Sequence, residues 1–204
     1  MNRIDGAGDG LVRSRMEAMT IRCYIPTTVN ALRSGLLDAH AVAPDGRGRS
    51  LRGEELETVE FDAMCIAAAL AASSALDRVI GGASSGESVA GSDGDAANSG
   101  GDAASSGDAA GVGDGSGEAR VVVAYDAPES CPRETLTEGF DLIGLVHVDM
   151  TAVASFHLDE DAVWNDAVRL ALESGAEAAE DRLGESDLLW YDATELPSLL
   201  DERG

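Results

Sequence analysis

Lysine is missing altogether from the 204-residue chain: all fourteen basic residues are arginine, and they stand against 38 acidic residues for a formal net charge of −24. A protein this acidic has no clustered basic surface with which to displace counterions from bare nucleic acid. It also lacks the basic face needed to dock on an anionic membrane. Aromatic residues are scarce, at 4%. No run is expected to approach the ~20 consecutive apolar residues of a membrane span. The first residues, MNRIDGAGDGLVRSRM, show no apolar core of a secretory signal. Three cysteines far apart, Cys23, Cys65 and Cys131, make neither a disulfide framework nor a metal-ligand set. These absences point to a soluble cytoplasmic protein with reduced thiols. Catalytic signatures are missing too: there is no G-x-S-x-G elbow, no phosphate-binding P-loop, no G-x-G-x-x-G after a strand and no CxxC. No motif identifies a cofactor or sets an oligomeric state.

The charge and the glycine that are present lie unevenly. Residues 20–80 carry six arginines against eight acids, whereas residues 120–204 carry five against twenty, a net −15. Between them, residues 81–119 hold seven acids, no base and twelve of the 24 glycines, and every other residue there is Ala, Ser or Asn except Val89 and Val112. Such a segment cannot bury enough apolar surface to offset an ordering cost of about 1–2 kcal/mol per residue. It is predicted to be a disordered acidic tether. Residues 1–19 are predicted to be a flexible extension, with translation starting at Met1, Met16 or Met19. Residues 20–80 and 120–204 are then the two halves of one α+β domain, with the tether inserted at a surface turn.

Periodicity predicts the elements. Ile21–Ile25 alternates as a strand and ends at Pro26; Thr27 or Thr28 caps a helix to Leu36; His40–Ala43 is a second strand. Glu54 opens the longest helix, to about Ile80, with acids in its first turns. Leu56, Val59, Ala63, Ile66 and Leu70 form its apolar stripe, and its middle, CIAAALAASSAL, is apolar or small nearly all round and so predicted to be deeply packed. Arg120–Tyr125 is the strongest strand, followed by strands at Leu142–Val148 and Ser155–Leu158. A helix spans Asp161 to about Ser174, interrupted at Gly175, and Leu188–Tyr191 is a last strand. This order predicts a two-layer sandwich: a mixed sheet of five to six strands under three main helices, of ferredoxin-like flavour, with a three-layer α/β sheet as the alternative.

Several short segments, in order and spacing, carry a resemblance. IRCYIPTTVNAL, HAVAP, EELETVEFDAM, RVVVAYDAP, VASFHLDEDA and DLLWYDATEL cover most of 20–80 and 119–200. Together they resemble a family of uncharacterised actinobacterial proteins, a domain of unknown function. The tether is longer and richer in glycine than the linker usual there, and residues 1–19 precede the usual start. The resemblance implies a bacterial intracellular domain and brings no activity, cofactor or catalytic residue.

Three constellations could carry chemistry. His147-Val148-Asp149 and His157-Leu158-Asp159 repeat a His-x-Asp pair, whose members share a face of a strand. If the two strands pair, two imidazoles and two carboxylates converge as a set suited to Zn²⁺ or Fe²⁺. The alternative is a pair of hydrogen-bonded strand ends, with Asp159 capping the next helix. Arg47, Arg49 and Arg52 form the one basic cluster, fit for a phosphate or carboxylate ligand or for pairing with the acids of the helix that follows. Trp190 and Tyr191 must point to opposite faces, so one ring marks a partner or ligand surface or lies at an edge. Cys23 and Cys65 are predicted to be small core residues, and Cys131 to be more exposed. The expected role is a non-enzymatic binding or regulatory module acting through a protein partner. The alternative is a small metal- or ligand-binding enzyme using the paired His-x-Asp motifs.

Overall fold

The computed structural model describes residues 20–85 and 115–203; the predicted extension 1–19 and residues 86–114 of the predicted tether lie outside the described residues. In chain order the main elements are β1 (Thr20–Thr28), α1 (Val29–Ser34), β2 (Leu37–Pro44), α2 (Glu54–Ser85), β3 (Arg120–Pro128), β4 (Arg133–Thr137), β5 (Phe140–His147), β6 (Val153–Leu158), α3 (Asp161–Ser174), α4 (Ala176–Gly184), β7 (Leu189–Asp192) and α5 (Leu196–Glu202).

The seven strands form one sheet in the order β4-β5-β2-β1-β3-β6-β7. Every pairing is antiparallel, so the sheet is not the mixed one expected, and it has more strands. The reason lies in the connections. A parallel neighbour needs a crossover of a dozen or more residues. Here the six-residue α1 simply returns β1 into its neighbour β2. Two helical connections are longer: α2 carries the chain from β2 to β3 with β1 between them, and α3 with α4 returns β6 into β7 as an antiparallel neighbour, although that connection is long enough for a parallel one. The nine-pair ladder from Thr20↔Pro128 to Thr28↔Arg120 thus joins the two segments of the chain at the centre of the sheet. Strand β4 escaped the sequence because RETLT is polar and exposed along an edge, with no apolar alternation to reveal it. It turns into β5 at Gly139, whose φ of 86° suits a residue without a side chain.

The odd residues of the central strands form the larger core. Cys23, Ile25, Val121, Val123 and Tyr125 are buried with Trp164 and Ala167 of α3 and Leu183 of α4. The even residues Tyr24, Val42, Val122 and Ala124 meet Ala63, Ala67 and Ala68 of α2 on the opposite face. Helices therefore contact both faces, and the two-layer arrangement holds only roughly. Gly175 separates α3 from α4 as its sequence suggests, with φ of 97°.

Helix α2 packs differently from expectation. Its buried stripe is Ala63, Ala67, Ala71 and Ala75, spaced by four, and the small side chains let the helix lie close to β1, β2 and β3. Leu70 is 41% exposed and Phe61 58% exposed, so the helix is not packed all round. Cys65 is exposed rather than in the core, while Cys23 is buried. By length and composition alone α2 is apolar enough to cross a membrane, contrary to the expectation that no run would be. Alanine supplies much of that hydropathy, and here the alanine stripe faces the sheet.

A candidate groove and cleft beside helix α2

The two His-x-Asp pairs do not converge. His147 ends β5 and His157 lies on β6, and β2, β1 and β3 stand between those strands. Four strand spacings of ~4.8 Å put about 19 Å between them. Among the described residues no group of three or more His, Cys, Asp and Glu side chains could hold a metal ion. Asp149 instead closes a turn, accepting from the backbone N–H of Thr151 at 2.9 Å and its hydroxyl at 2.8 Å. Those bonds hold its carboxyl below the ordinary value.

Asp159 does not cap α3, whose N-cap is Glu160. It is 1% exposed and takes a two-pronged ion pair from Arg120, at 2.6 Å from Nε and 2.8 Å from Nη2. Arg120 also donates to the carbonyls of Leu183 at 2.8 Å and Ala68 at 3.4 Å. Ser186 Oγ donates to Asp159 at 3.0 Å, and Arg203 reaches the Asp159 carbonyl at 2.8 Å. One buried guanidinium thus ties β3, β6, α2 and α4 together.

The arginine loop does not gather into an anion site. Arg49 pairs with Asp141 on β5 at 3.3 Å and donates to the Pro44 carbonyl, not to acids of α2. Arg52 donates to loop carbonyls, the closest being Leu51 at 2.7 Å, and Arg47 is exposed. The local backbone claims two of the three cations.

Trp190 and Tyr191 do part, as alternation requires. Tyr191 packs against the larger core. Trp190 is 60% exposed and stands opposite His157 across the β6–β7 pair. With Ser155, Tyr24, Arg22 and the Glu57–Met64 part of α2 they line a shallow cleft of about 280 Å³. His157 Nε2 lies 3.0 Å from Ser155 Oγ. Burial lowers the His157 pKa below its ordinary value, favouring the neutral ring. Burial, with the nearby Glu60 carboxylate, pushes the Tyr24 phenol up to about 12. Arg22 is held by Asp126 at 2.8 Å.

Phe61 and Met64 also line a larger groove of about 530 Å³ on the other side. Its apolar walls come from α2 (Met64, Ile66, Leu70) and from Leu183 and Leu188 beyond it, with Arg120 at the base. Phe61, Met64 and Leu188 were not among the candidate site residues, and Cys65 was expected in the core. The signal was present as a second apolar stripe at spacings of three and four, Phe61, Met64 and Cys65, hidden inside a helix whose middle is apolar or small nearly all round.

The fold and its surface define an α+β protein with a seven-stranded antiparallel sheet and an open apolar groove beside its longest helix. The chain belongs to DUF6912, a family of unknown function, whose family model matches residues 21–200. Searches of curated proteins and of solved structures found no match.

Proposed function

We propose that this protein is a non-enzymatic binding module of the cytoplasm that docks a partner protein in the groove beside α2. The carrying observation is the groove itself: exposed Phe61, Cys65 and Leu70 border one continuous apolar concavity. Contiguous exposed apolar surface of this kind marks interaction sites more often than it marks chance. Three free cysteines suit a reducing compartment. A photo-crosslinking residue at position 61, in the native cell, should trap one discrete partner that the same residue at exposed Leu172 on α3 does not. Equal trapping at both positions, or none, ends the reading.

A second reading rests on Ser155 and His157. A neutral imidazole 3.0 Å from a hydroxyl is a nucleophile-and-base pair in geometry, beside an exposed tryptophan that offers a surface for a small ligand. It calls for covalent acetylation of Ser155 by p-nitrophenyl acetate, read by peptide mass; an unmodified Ser155 removes the nucleophile.

A further inference from the structure

We infer that the occupant of the groove is a cationic amphipathic helix of another protein; this rests on the docking reading above and names its partner chemistry. The groove follows α2 from Phe61 to Ser73, a rise of about 18 Å at 1.5 Å per residue. That length seats about three turns of helix. Its walls are side chains of α2, α4 and the residues just before β7, and the exposed edge strand β7 itself does not line it. An extended segment laid there would leave its backbone N–H and C=O groups against apolar walls without partners. A helix satisfies its own and presents one apolar stripe.

Glu180 and Asp187 line the groove, Glu57 and Glu60 line the adjoining cleft, and Asp62 is exposed elsewhere on α2. The two bases that line these surfaces are already engaged: Arg120 pairs with Asp159 and Arg22 with Asp126. The groove's own lining thus carries two carboxylates and the adjoining cleft two more, with no free counter-charge among the lining residues of either. A second copy of this chain is a poor fit, since it carries a net charge of −24 and no lysine. A helix with Lys and Arg flanking two or three large apolar residues matches both the walls and the rim.

The test uses the full-length protein and three fluorescein-labelled 18-residue peptides, followed by anisotropy. One is an amphipathic Leu/Lys helix, one is the same helix with Glu for Lys, and one is a scrambled Leu/Lys peptide without an apolar stripe. The cationic amphipathic helix should bind at least about tenfold more tightly than either control. Phe61→Ser should weaken it by about tenfold, because an aromatic anchor is lost. Glu180→Arg with Asp187→Arg should weaken it similarly at low salt, with the difference shrinking at 0.5 M salt, as screening of an exposed rim requires. Both variants replace exposed residues and should melt like the wild type by circular dichroism. Equal binding of the anionic and cationic helices, with Phe61→Ser still weakening both, overturns the charge inference and leaves the docking reading standing. Scrambled peptide binding as well as the helix, with no effect of Phe61→Ser, overturns the docking reading too. A dimer in sedimentation that Phe61→Ser abolishes overturns the inference in favour of a second copy.

Discussion

Removing the Arg120 side chain, as in Arg120→Met, should be among the most damaging single changes in the described structure. Asp159 is 1% exposed, and of its carboxylate bonds only the one from Ser186 to Oδ1 would survive; Oδ2 would lose its 2.6 Å partner. The Ala68 carbonyl would also lose its bond from Arg120. Breaking one side of a buried ion pair typically costs about 3–5 kcal/mol, because the other charge stays buried and uncompensated. For a domain of this size that corresponds to a fall in Tm of roughly 6–20 °C. The measurement is urea unfolding followed by circular dichroism and by the fluorescence of buried Trp164. The double variant Arg120→Met with Asp159→Leu removes both charges at once and should recover most of the loss. The cycle of single and double variants then reads the coupling directly. A loss below about 1 kcal/mol for the single variant, or a double variant as unstable as the single, refutes the view that this buried pair fastens β3 to the chain leaving β6.

Three further outcomes follow from the same geometry. Because β1 lies between β2 and β3, a chain divided anywhere within residues 86–114 and expressed as two pieces should reassociate and melt cooperatively; pieces that elute separately refute this. His157 titrates below its ordinary value of 6.5 in the folded state, so the unfolded chain takes up the proton first as pH falls. Its stabilising contribution is complete above 6.5 and is lost as pH drops toward the folded value, with a slope of at most about 1.4 kcal/mol per pH unit. His157→Gln should flatten that acid limb, and an unchanged slope counts against it. With N-ethylmaleimide, exposed Cys65 should react before half-buried Cys131, and Cys23, buried with its thiol pushed up to about 12, only on unfolding. A bulky maleimide on Cys65 should also block the groove; early modification of Cys23 would contradict the packing.

Much of the scaffold was legible beforehand, and the limits of that legibility are physical. The valine run at 121–123, the capping Thr28, the acids opening α2 and the break at Gly175 are local signals, and the elements formed where they pointed. Strand β4 was not legible because an edge strand needs no apolar face. The parting of Trp190 from Tyr191 followed from the two-residue repeat of a strand, but which ring faces outward depended on what each face of the sheet meets.

The sequence by itself determined the family, the α+β class, the acidic balance of the second half and the positions of most helices and strands, because these depend on composition and on repeats within a few residues. Strand order and the pairing of side chains distant along the chain were decided only in three dimensions. Two identical His-x-Asp motifs ended on strands separated by three others, and Asp159 found Arg120 rather than a helix end or a metal. The middle of helix α2 is apolar or small nearly all round, so its periodicity could not say which side would be covered. The alanine stripe took the sheet because small side chains allow close approach, and that choice left Phe61, Cys65 and Leu70 facing outward along the groove.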